Sequence, residues 1–187
     1  MYFSPIPGEL PAKTVHNQKL TSLVLALALA LVDITSAACP ARVTDGEQAG
    51  NELAQFVTDA VNGFFPYRDG WENAYDTAFS ADLQASFNAT AYTFDTFKQF
   101  YSAIEASLTK TYQGTFDHGF LTVVGVPNAG DVGGFVTLTG WEGGYVGGAG
   151  GRFVNTTDAS YAVVTQTDDC GRRIVEFRES SNLGSYV

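Results

Sequence analysis

Near Thr111 the apolar residues change their spacing from a helical period to a period of two, and that change dictates the order of layers this chain can build. Upstream, Leu53, Phe56, Val57, Ala60, Val61 and Phe64 lie on one face of a helix, which Pro66 closes. Trp71, Tyr75, Ala78 and Phe79 give a second, shorter helix its apolar side. A third carries Phe97, Phe100, Tyr101, Ile104 and Leu108, with Thr93 or Asp95 as its cap. Residues 83–92 read as a turn and a short strand or extended piece. Downstream, Tyr112, Phe116, His118, Phe120, Thr122, Val124 and Val126 alternate along one face of a long strand. Pro127-Asn128-Ala129-Gly130-Asp131 signals a turn, and further strands follow over 134–142, 159–167 and 172–179. Asp168-Asp169-Cys170-Gly171 is the tight turn between the last two. Helices followed by strands give an α+β domain, with the helices covering one face of an antiparallel sheet. A curled sheet of this kind and its helices enclose a cone with an open mouth.

Glycines crowd the stretch from Gly130 to Gly151. Within strands they mark bulges and sharp bends, which a curved sheet needs. The alternative for residues 143–151 is a mobile loop. A phosphate loop is excluded: no Gly-Lys-Ser/Thr is present, and the run does not join a strand to a helix.

Residues 20–32 are uncharged and built almost wholly from Leu, Ala and Val; Lys13 and Lys19 precede them and Ser36-Ala37-Ala38 follow. This is the layout of a secretory leader over 1–38, too short to remain as a membrane anchor. A buried core helix is the alternative for the apolar run. A lipidated Cys39 is another, but the usual large aliphatic residue three positions earlier is missing. The expected organisation is a leader over 1–38, a short mature segment over 39–47, one domain over 48–182 and a tail over 183–187. An extracellular location makes Cys39 and Cys170 a disulfide pair. Two cysteines and the single histidine left in the mature chain cannot form a zinc site, and no metal is expected. Asn88-Ala89-Thr90 and Asn155-Thr156-Thr157 are glycosylation sequons, expected on exposed turns. The net charge is −10, and losing the leader leaves it unchanged, because two acids and two bases depart together. Such a domain repels phosphate backbones, so nucleic acid is not an expected partner.

The segments Trp71–Phe79, Phe87-Asn88-Ala89-Thr90, Tyr92–Phe97, Gly134–Gly143 and Arg172–Glu179, in this order, resemble the NTF2-like (nuclear transport factor 2-like) superfamily in its SnoaL-like branch. The likeness spans about residues 48–182 and is nearest to functionally unassigned secreted members from filamentous fungi. It implies a cone of three helices on a strongly curved antiparallel sheet of four or more strands. It also implies an apolar pocket and, often, a homodimer through the open sheet face.

No residue set here defines a reaction by itself. His118 shares a strand face with Phe116 and Phe120, and imidazole titrates near working pH. A fungal dehydratase of the superfamily uses two histidines, an aspartate and tyrosines. Tyr75-Asp76 resembles its Tyr-Asp pair, whereas its second histidine has no counterpart in the mature chain, because His16 departs with the leader. The resemblance thus implies a His118–Asp76 pair for proton abstraction, with Tyr75 or Tyr101 as oxyanion donor. The alternative for His118 is a hydrogen-bonded core residue. Asp117 points to the opposite strand face and reads as exposed. Trp141 and Glu142 also face opposite sides, Trp141 reading as core or pocket wall. Glu176 reads as a cross-strand partner.

Three functions follow. The first is a secreted module holding a small apolar or aromatic molecule among Tyr75, Tyr101, Phe116, Phe120 and Trp141. The second is a cyclase, isomerase or dehydratase of a polyketide-like substrate, working through His118 and Asp76. The third is a protein acting through its surface alone. None requires a cofactor.

Overall fold

The computed structural model describes residue 39, residues 46–130 and residues 132–183. The leader, its apolar run over 20–32, most of segment 39–47 and nearly all of tail 183–187 lie outside the described residues. Helix α1 (Gly46–Phe64) buries Leu53, Val57, Val61 and Phe64, the stripe expected from the spacing. Helix α2 (Trp71–Ala78) follows, and Phe79 opens strand β1 (Phe79–Phe87) instead of extending the helix. Strand β2 (Thr90–Thr93) returns antiparallel to β1. Thr93 is the N-cap of helix α3 (Phe94–Tyr112), where the Thr96 hydroxyl accepts the Thr93 backbone N–H at 2.8 Å. Strands β3 (Asp117–Pro127), β4 (Gly133–Val146), β5 (Arg152–Gln166) and β6 (Arg172–Ser181) complete one six-stranded sheet in the order β2-β1-β6-β5-β4-β3. The sheet is antiparallel except for the β1–β6 pair, which is parallel. Residues 83–87 thus extend a real strand, inserted beside the last one.

The glycine-rich stretch divides into two parts. Gly143 and Gly144 continue β4, pairing with Asn155 and Val154. Residues 147–151 form a hydrogen-bonded turn, tied to α3 by the Gly147 N–H on the Thr111 carbonyl (2.8 Å). Strand β5 consequently starts at Arg152 and contains Asn155. The expectation that both sequons lie on turns holds for Asn88, in the left-handed turn between β1 and β2, and fails for Asn155, which is exposed in mid-strand.

Strand β3 departs from strict alternation. Its pairing with β4 slips between Phe120 and Thr122, leaving Leu121 as an extra residue, 64% exposed. Before the bulge His118 and Phe120 face the helices. After it the parity inverts, so Val124 and Val126 face outward with Thr122. They do not continue the face of Phe116, His118 and Phe120 as the spacing had suggested.

The inner face of the sheet and the three helices enclose an aromatic core. Phe64 lies at its centre, with the rings of Phe79, Tyr101, Phe177 and Tyr75 between 4.7 and 6.3 Å away. Helix α1 crosses β3 at Gly50 and Gly125. A Cβ at Gly125 would lie 2.2 Å from the Gly50 carbonyl oxygen, so backbone meets backbone there. Gly125→Ala is expected to cost about 1–3 kcal/mol by pushing the helix off the strand. Urea unfolding measures this, and an unchanged midpoint would contradict the close approach. Cys39 is disulfide-bonded to Cys170 in the turn between β5 and β6, across a sequence separation of 131.

Candidate functional site

Strand parity sets three acidic side chains on the inner face. On β4, Val136, Leu138, Gly140 and Glu142 alternate inward; on β5, Thr156, Asp158 and Ser160; on β6, Phe177, Glu179 and Ser181. Cross-strand pairing places Glu142 beside Thr156, Asp158 beside Ser181, and Ser160 beside Glu179. Glu142 is 3% exposed and Glu179 7%. A buried carboxyl must be hydrogen-bonded, neutralised or both. The Ser181 hydroxyl donates to Glu142 Oε1, and the Leu183 N–H donates to Ser181 Oγ at 3.0 Å. The Tyr101 hydroxyl donates to Glu179 Oε2 at 3.2 Å. Gly140 leaves room for Asp158: a Cβ there would meet Asp158 Oδ1 at 2.5 Å.

Burial shapes the acid–base behaviour of this set. Desolvation pushes the Glu142 carboxyl up to about 7; the Ser181 bond opposes the shift and the Asp158 charge adds to it. Glu179 rises well above the usual carboxylate range, through burial first and then the charges of Glu142 and Asp158. Asp158 rises through burial. Tyr101 is raised by burial and by Glu179. At neutral pH the Tyr101 phenol therefore stays protonated and Glu142 is near half-titration, while burial biases Glu179 toward its acid form. The Tyr112 hydroxyl is wholly buried and has no hydrogen-bond partner among the described residues. Burial raises its pKa, and the Glu142 charge adds to the rise.

Two hollows lie along α3, and neither is lined by a residue of the carboxyl set. One, of about 210 Å³, is lined by Phe87, Phe100, Ile104, Leu108 and Leu183, among others. The second, of about 160 Å³, is lined by Tyr67, Leu108, Thr109, Gly114 and Phe116. Leu108 is a wall common to both. A larger groove of about 390 Å³ runs between α1 and α2, floored by Phe56, Ala60 and Ala74, and none of its lining residues belongs to the carboxyl set. The space expected to be one hollow cone is largely occupied by aromatic rings, and the two smaller hollows open at its margin.

His118 and Asp76 are not brought together. Both imidazole nitrogens face other groups: Nδ1 lies 3.0 Å from the Tyr67 hydroxyl and Nε2 3.1 Å from the Asn62 side-chain amide. The ring stacks on Phe65 at 4.1 Å. Burial, then the Arg68 charge, lowers its pKa to about 4, so the ring is neutral at pH 7. Asp76 pairs with Lys98 on the surface. Asp117 is exposed, as expected, yet reaches the imidazole at one remove. Its Oδ1 accepts both the Tyr67 hydroxyl (2.8 Å) and the His118 backbone N–H (2.9 Å). Burial, and then the bond to Asp117, push Tyr67 up to about 12.

The five expected ligand contacts separate. Tyr75 is buried, with its hydroxyl donating to the Phe94 carbonyl at 2.8 Å. Tyr101 joins the carboxyl set, Phe116 lines the smaller hollow, and Phe120 stands beside His118 at 5.7 Å. Trp141 sits on the outer face, against Gly119, and contributes nothing to the interior. Glu176 faces outward and pairs with Arg178 at 2.6 Å. Glu142 and Glu179 share parity with the apolar residues Val136, Leu138 and Phe177, the signal in the sequence that points them inward. Among the described residues no group of three or more His, Cys, Asp or Glu is set to hold a metal ion. No helix among them is long and apolar enough to cross a membrane.

No family model and no curated protein matches the sequence. Solved structures do. A protein from Jannaschia sp. CCS1 assigned as a SnoaL-like polyketide cyclase superposes with a TM-score of 0.50 at 16% identity, over 76% of this chain and 93% of its own. An NTF2-like superfamily protein from Salmonella enterica serovar Typhimurium gives 0.51 at 13% identity, over 70% and 91%. The association domain of C. elegans CaMKII gives 0.53 at 8% identity, over 72% and 97%. At such identities the likeness is one of fold. Three helices on a six-stranded curved sheet, in this order and at this coverage, give the chain the NTF2-like fold that it shares with SnoaL-like proteins.

Proposed function

We propose that this chain is an extracellular NTF2-like domain that binds a small, largely apolar or aromatic molecule at the inner face of α3, with one polar group directed at the carboxyl–phenol set. The observation that carries this reading is the Tyr112 hydroxyl. An unpaired buried donor costs about 1–3 kcal/mol, and an incoming carbonyl or hydroxyl oxygen would satisfy it. Tyr112 does not itself line the hollow of Phe87, Phe100, Ile104 and Leu108, but Leu108 lies one turn before it on α3, and these apolar walls suit the remainder of such a ligand. The Cys39–Cys170 disulfide supports an oxidising compartment. Val124, Val126 and Phe135, exposed on the outer sheet face, support a homodimer there.

Native mass spectrometry of protein purified from a secretory host tests the reading. Wild-type chain is expected to retain a small-molecule mass, and Tyr112→Phe to retain it at an occupancy several-fold lower. Wild-type protein free of any adduct, with no thermal shift from small aromatic ketones, would overturn it.

A second reading is favoured by the Glu142 carboxyl titrating near 7. General acid–base groups work best when their pKa lies near the working pH. Here Glu142 would take a proton from carbon beside a carbonyl, and Tyr101 or Tyr112 would donate to the developing oxyanion. No cofactor enters this scheme, and His118 is not its base. Glu142→Gln would keep the ligand and abolish turnover.

A further inference from the structure

The two sequons differ in what surrounds them. Asn88 has its side-chain oxygen engaged by the Ser181 N–H at 3.1 Å, and the residue two before it is Ser86. Asn155 lies in mid-strand, where residues two apart share a face about 6.8 Å apart. Phe153, Asn155 and Thr157 therefore stand in one row on the outer face, all exposed, with Phe153 at 51%. Across the ladder Asn155 pairs with Gly143, which has no side chain to cover it. Gly143 is flanked on the same face by Trp141 and Tyr145, and the Tyr145 ring lies 5.1 Å from that of Phe153. Asn155 thus stands exposed beside the Phe153–Tyr145 ring pair, with the buried Gly143 opposite it. The C–H faces of a pyranose pack well on aromatic rings, and an exposed cluster of rings on a sheet needs such a cover.

We propose that Asn155 carries an N-linked glycan whose first N-acetylglucosamine packs against the exposed ring of Phe153, so that the sugar becomes part of the folded surface. The transfer forms a bond between Asn155 Nδ2 and C1 of that sugar. It breaks the C1–O bond to a lipid diphosphate, which departs as the leaving group, and the amide gives up one proton. Thr157 supplies the hydroxyl that the sequon requires. Its neighbour Thr156 is turned inward, with its hydroxyl on the Glu142 carbonyl at 3.2 Å.

The test is expression of the full chain, with its own residues 1–38, in a glycosylating secretory host. Peptide mapping after enzymatic deglycosylation reads the occupancy of Asn155. The Tm is then compared between wild type and Thr157→Ala, which removes the sequon and leaves Asn155 in place. The same comparison is repeated with Phe153→Ser in both chains. The expected result is an occupied Asn155 and a Tm about 2–4 °C lower in Thr157→Ala, with that difference vanishing in the Phe153→Ser background. Trimming the glycan to its first sugar should leave the wild-type Tm unchanged. An unmodified Asn155, or a Tm difference that persists without Phe153, would overturn the proposal.

Discussion

Glu142→Gln is expected to match the wild-type chain in stability at pH 4.5 and to exceed it by about 3 kcal/mol at pH 8. The folded state holds the Glu142 carboxyl at about 7, against an ordinary value of 4.5. Between those values the folded chain binds more protons than the unfolded one, so stability falls as the pH rises. The contribution is complete below 4.5 and lost above 7. Each pH unit between the two is worth about 1.4 kcal/mol. Gln keeps the acceptor for the Ser181 hydroxyl and never ionises. Glu179, also raised by burial, adds to the same trend. His118 works in the opposite direction. Its lowered pKa makes the folded chain bind fewer protons between about 4 and 6.5, so its contribution is lost as the pH falls through that window. The wild-type profile therefore has a shallow stretch where the two offset each other. The difference between wild type and Glu142→Gln isolates the carboxyl. Urea midpoints of both chains at pH 4.5, 6.5 and 8 measure it, and parallel profiles would mean that Glu142 is solvated.

Phe64→Ala is expected to remove about 3–5 kcal/mol, a large share of the 5–15 kcal/mol typical of a whole domain. Phe64 is fully buried at the end of α1 and touches rings from four other elements: Tyr75 on α2, Phe79 on β1, Tyr101 on α3 and Phe177 on β6. Its removal leaves a cavity bounded by elements that cannot collapse together without breaking the sheet ladder. Phe135→Ala is the control. That ring is exposed on the outer face beside Tyr161, and its loss should cost under about 1 kcal/mol. Denaturant unfolding of the two variants separates them. Similar losses would show that the interior is loosely packed and that the centre of the core lies elsewhere.

The helical stripes were legible because Leu53, Val57, Val61 and Phe64 obey one period without interruption. The disulfide followed from there being just two cysteines. The strands were legible as strands, yet their sidedness was not, because sidedness depends on single residues that a periodic reading passes over. Leu121 is one such residue. The register shift between β5 and β6 at Val163/Val164 is another, and it accompanies Ile174 facing inward while Glu176, two residues on, faces outward. At Trp141-Glu142 the two side chains must take opposite faces, and size and apolarity favour Trp141 for the interior. The ladder assigns it the reverse, since Glu142 continues the inward parity of Val136 and Leu138. Hydrophobicity misled there because the interior at that end is polar and hydrogen-bonded. His118 invited a partner by chemistry, but what lies beside it came from the segment after α1, through Phe65 and Tyr67. No spacing in the sequence announces that contact.

The extra residue at Leu121 has a wider bearing. It splits β3 into two lengths of opposite orientation, one walling the interior and one displayed to the surroundings. Removing or adding a single residue at that point would exchange the two roles for everything beyond it. Related chains of different length there would enclose different side chains even where their residues coincide letter for letter. Any attempt to carry ligand contacts from one such protein to another must therefore first count the residues between Phe120 and Pro127.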